Sequence, residues 1–159
     1  MKPILLATDG SPTAAEAAAK AIELAEALDA PLLIATVWHL SYEPIGMFGP
    51  VLPDLDLVAS KEAEEIVGRA AEAARAAGLE YETVVRRGFP AQELCAIADE
   101  ADAQLIVLGS HGWGTMRRAI FGSVSTSVLH HAGRPVLVVP RPAKAGHAEH
   151  ERAAEHVEA

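Results

Sequence analysis

A segment rich in glycine and serine, residues 109–125, holds the residue types best suited to binding an anion. Gly109 and Gly112 let backbone N–H groups approach a ligand, because no Cβ stands in the way. Gly122 and Ser123 stand where a helix is predicted to begin, and the first N–H groups of a helix have no intrahelical partner. Since the helix macrodipole is also positive at that end, the segment predicts a site for a polyphosphate.

Further donors lie within the same segment. The hydroxyls of Ser123 and Ser125 can donate to phosphate oxygens, and Arg117 and Arg118 supply positive charge in an otherwise acidic chain. The segment lacks the Gly-x-x-x-x-Gly-Lys-Ser/Thr pattern of a P-loop, and it also lacks the Gly-x-Gly-x-x-Gly pattern of dinucleotide-binding domains. The two commonest phosphate-binding fingerprints are therefore excluded.

A second polar turn, Asp9-Gly10-Ser11-Pro12, follows the first apolar run of the chain. Ser11 is predicted to cap a helix whose first residue is Pro12. Asp9 has two interpretations. Its carboxylate can close an Asx-turn that starts the helix, or it can contact a ligand at the end of the preceding strand. Its place beside the expected crevice favours the ligand.

Four other residues with possible chemistry receive structural interpretations. His111 has no Ser-Asp or Cys partner nearby in sequence with which to build a hydrolytic triad, so it is interpreted as a loop residue. Cys95 lies among apolar neighbours and is predicted to be a buried, unreactive thiol. Trp38 and Trp113 could wall an adenine pocket, but they are assigned to the core. No catalytic residue and no metal ligand is assigned.

Short apolar runs alternate with longer helical stretches along the chain. Gly78 is predicted to end the second helix, because glycine accepts the positive φ common at that position. The predicted strands cover residues 3–8, 32–38, 81–86, 105–108 and 135–139, and the predicted helices cover residues 12–29, 55–77, 90–101 and 122–131.

The first helix is predicted to be amphipathic and to lie on a sheet. Glutamate and lysine residues occupy mostly its other side. The face predicted to be buried contains Ala15, Ala18, Ile22, Ala25 and Leu28.

Alternating strands and crossover helices predict right-handed βαβ units. The continuously apolar run 32–38 is typical of a strand covered on both faces. We therefore predict one α/β domain: a doubly wound, Rossmann-like, open parallel five-stranded sheet with strand order 3-2-1-4-5 and helices on both faces. Such sheets bind ligands beyond the carboxyl ends of the strands, where the strand order reverses. Asp9 and the turn at Gly109 then flank one crevice.

The glycine pattern matches that of a known family. Gly109, two residues, Gly112, nine residues, then Gly122-Ser123 resembles the Gly-2x-Gly-9x-Gly-Ser/Thr motif of ATP-binding universal stress proteins. The Asp-Gly-Ser turn after the first strand and the closing Gly-Arg-Pro-Val-Leu-Val-Val-Pro run look like the same family. The resemblance covers residues 1–142.

The resemblance implies roles for particular residues. Asp9 and the backbone at Val37 would hold the adenine end, and Gly109 and Gly112 would flank the ribose and phosphates. The phosphates would be received by Gly122, Ser123, Val124 and Ser125. ATP is the implied ligand, with Mg²⁺ expected as the companion of the phosphates.

Three functions remain open at this point. In the first, ATP occupancy changes the loops and the dimer surface of a binding module that acts in the stress response. In the second, the bound phosphates are hydrolysed slowly, although no general base or metal carboxylates are evident near the motif. In the third, the chain is an interaction scaffold with an empty pocket. The complete motif favours the first.

Length and charge restrict the partners. The chain has 159 residues and a formal net charge of −9, so one domain is expected, and neither duplex nucleic acid nor an anionic membrane is expected to bind. The lone Cys95 cannot form an internal disulfide, and no apolar run approaches the roughly 20 residues that span a bilayer. The N-terminus shows no signal-peptide pattern. These features predict a cytoplasmic protein.

Two segments depart from the regular pattern. Residues 39–54 form a long loop rich in proline, glycine and large apolar residues, which could cover the nucleotide or pack against the domain or a second subunit. Residues 143–159 form a polar tail, expected to be mobile or partly helical. The tail carries His147, His150 and His156, and without a cysteine cluster no metal geometry is fixed there.

The last strand predicts an oligomer. Residues 135–139 would lie at an edge of the sheet, and an exposed apolar edge tends to be paired or covered. A second copy can pair with it, and universal stress proteins commonly form homodimers through this strand. A homodimer through the fifth strand is therefore expected.

Overall fold

The computed structural model describes residues 1–39, 54–111 and 121–141. Strands and helices alternate from one end of this part of the chain to the other. In chain order the elements are β1 Ile4–Ala7, α1 Pro12–Leu28, β2 Leu32–Trp38, α2 Asp54–Ala76, β3 Tyr81–Arg87, α3 Pro90–Glu100, β4 Leu105–Gly109, α4 Ser123–His131 and β5 Val136–Val139.

The five strands form one parallel sheet in the order β3-β2-β1-β4-β5. The predicted strand order is therefore confirmed. The order reverses between β1 and β4, which pair directly, with Ile4 opposite Leu105 and Leu6 opposite Val107. The turns after β1 and β4 consequently lie side by side at the carboxyl edge of the sheet.

Helices cover both faces of the sheet, as predicted. One apolar layer joins α1 and α2 to the face that carries Ile4, Leu6 and Ile34. The other joins α3 and α4 to the face that carries Leu5 and Ile106. Alternate side chains of β1 thus enter different layers, and all four residues of that strand are buried, because it lies at the centre of the sheet.

The predicted buried face of α1 is confirmed in part. Ala25 is buried, and Ala18 and Ile22 pack half-buried against the same layer, whereas Ala15 and Leu28 are exposed. The other fully buried apolar residues of the helix are Ala14, Ala17 and Ala21. These small residues share one face at helical spacing, and they let the helix axis approach the sheet closely.

The ends of the helices follow their local chemistry. Ser11 caps α1, where its Oγ accepts from the Ala14 N–H at 3.2 Å, and Pro12 is the first helical residue. After α2, Gly78 takes a positive φ of 74° and donates its N–H to the Arg75 carbonyl at 3.0 Å. Both predictions are confirmed. No helix in the described ranges is long and apolar enough to cross a membrane.

Candidate functional site

A cavity of about 470 Å³ opens at the carboxyl edge of the sheet, where the strand order reverses. It is lined by residues of β1, β2 and β4 and by residues near the starts of α1, α3 and α4. Of the predicted site residues, the lining contains Asp9, Val37, Gly109, Gly122, Ser123, Val124 and Ser125. Gly112, the remaining one, falls outside the described residues, as do Arg117 and Arg118.

The turn after β1 is held by its own polar groups. Asp9 Oδ1 accepts from the Ser11 N–H at 2.9 Å, and Thr8 Oγ1 accepts from the Gly10 N–H at 3.2 Å. Gly10 has a φ of 74°, a conformation that favours glycine. Asp9 therefore makes the Asx-turn and also lines the cavity, so the two interpretations of this residue are compatible.

Gly109 ends β4 directly against the start of α1. A Cβ at this position would lie 2.9 Å from the backbone carbon and oxygen of Thr13. Only a residue without a side chain lets the strand and the helix approach this closely. The requirement for glycine at 109 thus comes from packing beside the cavity, in addition to any approach of a ligand.

Ser110 connects β4 to the start of α4 and to β5. Its carbonyl oxygen accepts from the Gly122 N–H at 2.6 Å and from Ser125 Oγ at 3.0 Å, and its own N–H donates to the Val139 carbonyl at 2.8 Å. Both serines are about 2% exposed. The Ser125 hydroxyl is thus bonded within the protein, and the group that this residue can offer a ligand is its backbone N–H.

The first turn of α4 has no side-chain cap. Its N-cap is Gly122, which has no side chain to accept a hydrogen bond, whereas α1 is capped by Ser11. The N–H groups of Ser123, Val124 and Ser125 belong to the first turn and have no intrahelical acceptor. All three residues line the cavity, so an anion bound there would lie at the positive end of the helix.

The other side of the cavity is apolar and suits a planar base. Val37 and Ala35 lie two residues apart on β2 and so share a face of the sheet. The sequence interpretation named Val37 but missed Ala35, Leu94, Pro90 and most of the other apolar lining residues. The period of two along β2 could have identified Ala35, whereas the residues of α3 become neighbours only through the tertiary fold. The remaining apolar lining is Ala7, Ala14, Leu108 and Phe121.

His111 also lines the cavity, although the sequence assigned it no role there. Its Nδ1 lies 3.0 Å from Ser110 Oγ, so the residue before it in the chain is its hydrogen-bond partner. This contact by itself does not make a hydrolytic triad, which also needs an acidic residue to orient the imidazole. Ser110 itself is about 2% exposed and does not line the cavity. Its hydroxyl is therefore not placed to act as a nucleophile on a bound ligand.

A family model described as the universal stress protein family matches residues 1–140. The chain belongs to the universal stress protein family. Universal stress protein MJ0531 of Methanocaldococcus jannaschii is 32% identical over 147 residues, which cover 90% of this chain and 84% of that protein.

Two solved structures of universal stress proteins resemble the fold. One, in complex with cAMP, has a TM-score of 0.66 and 31% identity, covering 87% of this chain and 96% of that one. The other, from Archaeoglobus fulgidus in complex with dAMP, has a TM-score of 0.63 and 28% identity, covering 87% and 98%. The five-stranded parallel sheet described above is thus the fold of other universal stress proteins.

Other features that the sequence singled out lie apart from the cavity lining in this universal stress protein. Cys95 is partly buried against the layer of α3 and α4, and this burial, with a smaller effect of Asp99, raises the pKa of its thiol. A raised pKa agrees with the predicted unreactive thiol. Trp38 makes a cation–π contact with Arg87, whose guanidinium lies 5.3 Å from the centroid of the ring. Trp113, residues 40–53 of the long loop and the tail lie outside the described residues.

Within the described ranges, no group of three or more His, Cys, Asp or Glu side chains could hold a metal ion. Among the cavity-lining residues that are described, Asp9 is the one carboxylate, and its Oδ1 already accepts from the Ser11 N–H. The chemistry that this lining offers is recognition: N–H donors at a helix start, and an apolar wall opposite.

Proposed function

We propose that this universal stress protein binds an adenine nucleotide in the cavity between the turns after β1 and β4, and that ATP is the ligand. The observation that carries the proposal is that the residues of the sequence motif line the cavity. Seven of the eight residues expected to contact the nucleotide line this one space, although the chain separates Asp9 from Ser125 by more than a hundred positions.

The family resemblance and the lining of the cavity together support a position for each part of the nucleotide. The base would lie on the apolar side, near Asp9 and the backbone of Val37. The phosphates would lie at the first turn of α4, where Gly122 leaves the helix without a side-chain cap. The ribose would lie between these ends, beside Gly109 and Gly112. The cAMP and dAMP held by related structures support an adenine nucleotide, and the complete glycine motif supports ATP, with Mg²⁺ as companion of its phosphates.

Nucleotide binding would act on a homodimer formed through β5. This strand is an edge of the sheet and carries only apolar side chains, Val136–Val139. Ser110 links the two regions, because it bonds to Gly122 at the start of α4 and to Val139 at the end of β5. A shift of the first turn of α4 on binding would therefore reach the dimer edge through one residue. The acidic chain, with its single cysteine, suits such a role in the cytoplasm.

Calorimetric titration with Mg-ATP tests the proposal. The full chain should bind one nucleotide per subunit. The variant Gly122→Val, Ser123→Ala should lose binding, because a Cβ at 122 would lie 3.3 Å from the Ser110 carbonyl oxygen and a larger side chain would enter the space before the helix. Gly68→Ala is the matched control, since an added Cβ at 68 meets nothing within 4 Å.

The outcomes separate three functions. Binding without release of ADP supports the nucleotide-responsive module, and binding followed by slow release of ADP supports a weak ATPase. No heat of binding, together with no nucleotide released from the denatured protein, rejects ATP binding and leaves an interaction scaffold. In that case ATP would also fail to raise the melting temperature.

A further inference from the structure

An aromatic pair, His39 and Phe89, stands beside the apolar side of the cavity, with ring centroids 5.1 Å apart. Ala35 and Val37 line the cavity from β2, and His39, two residues further, continues the same alternation just past the end of that strand. Phe89 immediately precedes Pro90, which lines the cavity at the start of α3. The pair therefore forms the rim of the cavity on its apolar side.

The position of Phe89 is fixed by backbone hydrogen bonds on both sides of it. The Gly88 N–H donates to the Trp38 carbonyl at 3.0 Å, which holds the turn between β3 and α3 against the end of β2. The Phe89 carbonyl accepts from the Glu93 N–H at 3.0 Å, as the N-cap of a helix does. The ring is therefore attached at a point where one strand end and one helix start are joined.

Phe89 occupies a position where a polar side chain would stabilise the helix more. It is the N-cap of α3 and makes no side-chain cap there, whereas α1 is capped by Ser11. Serine, threonine, aspartate and asparagine are the residues that stabilise an N-cap. The Phe89 side chain is also 62% exposed, although a phenylalanine gains stability from burial. Helix capping and core packing therefore do not account for this residue, whereas a planar apolar group leaving the cavity would cover its ring.

We propose that Phe89 is a specificity-determining residue whose ring stacks on the outer part of the base and selects purine over pyrimidine nucleotides. This inference rests on the proposed nucleotide-binding function. In a purine nucleotide the ribose is attached to the five-membered ring, so the six-membered ring lies farthest from the ribose. With the ribose beside Gly109, this outer ring extends past Val37 to the rim, where the Phe89 ring contacts it. A pyrimidine has no second ring and lacks this contact.

Calorimetric titration with Mg-ATP and with Mg-CTP tests the inference, because the two ligands share the ribose and the triphosphate and differ only in the base. The wild-type chain should bind ATP about tenfold more tightly than CTP, as one base–aromatic stack allows. Phe89→Ala should bind ATP about tenfold more weakly than the wild type and CTP equally well. Phe89→Tyr keeps the ring and should keep the preference. Tyr81→Ala is the matched control, since it removes an exposed aromatic residue at the amino end of β3, outside the cavity lining.

A second measurement needs no variant. In the wild-type chain saturated with ATP, NMR should show nuclear Overhauser contacts between the H2 proton of adenine, which lies on the six-membered ring, and the ring protons of Phe89. Their absence in a chain that binds ATP overturns the inference. An unchanged ATP affinity in Phe89→Ala also overturns it, and so does an equal loss of ATP and CTP affinity, which would assign the effect to the fold. Failure of the wild type to bind either nucleotide rejects the nucleotide site itself.

Discussion

The carbonyl oxygen of Ser110 lies 2.6 Å from the backbone nitrogen of Gly122. This hydrogen bond fixes the start of α4 against the end of β4, across the residues that connect the two elements. The N–H groups of the first turn of α4 are consequently held at the cavity rather than turned to the surface. Because the donors of this site are backbone N–H groups, substituting a side chain leaves them in place. The role of each side chain can therefore be tested separately.

Two serines of α4 should separate stability from binding. In Ser125→Ala the hydroxyl that donates to the Ser110 carbonyl is lost, and we expect a loss of about 1 kcal/mol in the free energy of unfolding, or about 2–4 °C in melting temperature. Nucleotide affinity should change little, because the backbone N–H at 125 remains. Ser123→Ala removes an exposed hydroxyl at the cavity. It should lower nucleotide affinity and leave the free energy of unfolding nearly unchanged.

Calorimetric titration and thermal unfolding of both variants check this pair. A large loss of affinity in Ser125→Ala, at unchanged stability, would contradict the assignment of its hydroxyl to the fold. Thr126→Ala is a suitable control, since Thr126 is exposed in the same helical turn and does not line the cavity.

Gly109→Ala should destabilise the protein. The added Cβ would lie 2.9 Å from backbone atoms of Thr13, and backbone cannot rotate away as a side chain can. We expect a loss of about 1–3 kcal/mol in the free energy of unfolding, measured by denaturant titration. Gly68→Ala, in an exposed part of α2 with nothing near the new Cβ, should instead gain about 0.5–1 kcal/mol. Equal effects of the two substitutions would show that α1 and β4 are not in close contact.

Asp102 should contribute to the acid sensitivity of the fold. Hydrogen bonds from Lys2 and then Arg134 hold the pKa of its carboxyl below the usual value, with Lys2 Nζ at 2.8 Å and Arg134 Nη1 at 2.6 Å. A lowered folded pKa means that the stabilisation is present above the unfolded value of about 4 and is lost as the pH falls through the folded value.

Asp102→Asn should therefore reduce the fall in melting temperature between about pH 6 and about pH 3. Asparagine suits the positive φ of 49° at this position, so the substitution leaves the backbone unstrained. Glu16→Gln, at an exposed position of α1, is the control and should leave the pH profile unchanged. A profile for Asp102→Asn that matches the wild type would show that these exposed ion pairs contribute nothing measurable.

Val138→Pro should prevent dimer formation through β5. The Pro135 carbonyl accepts from the Ile106 N–H, and the Val139 carbonyl accepts from the Ser110 N–H. Because successive residues of a strand direct their backbone groups to opposite sides, the N–H of Val138 points away from β4, to the free edge of the sheet. Proline removes this donor while the bonds to β4 remain. Sedimentation at micromolar concentration should give a dimer for the wild type and for Val138→Ala, and a monomer for Val138→Pro. A monomeric wild type would reject the dimer.

The amino-acid sequence by itself determined the elements and their order. Apolar runs separated by helical stretches located all nine elements to within one or two residues, and the caps at Ser11 and Gly78 followed from local backbone chemistry. The strand order also followed, because crossover handedness and the family resemblance leave few alternatives. The elements and their caps depend on neighbours in the chain, which a sequence displays directly, whereas the strand order is a non-local property that the resemblance supplied.

The tertiary structure alone decided which surfaces meet. It placed Ala14, Ala17 and Ala21 of α1 against the sheet and left Ala15 and Leu28 exposed. It also brought Leu94 and Pro90 of α3 to the cavity, and it paired His111 with Ser110 beside Gly122. Each of these depends on the distance between elements far apart in the chain, and that distance is set by the packing of the whole core. Spacing in sequence can indicate that a glycine is required, but only the fold shows that Gly109 is required by the backbone of Thr13.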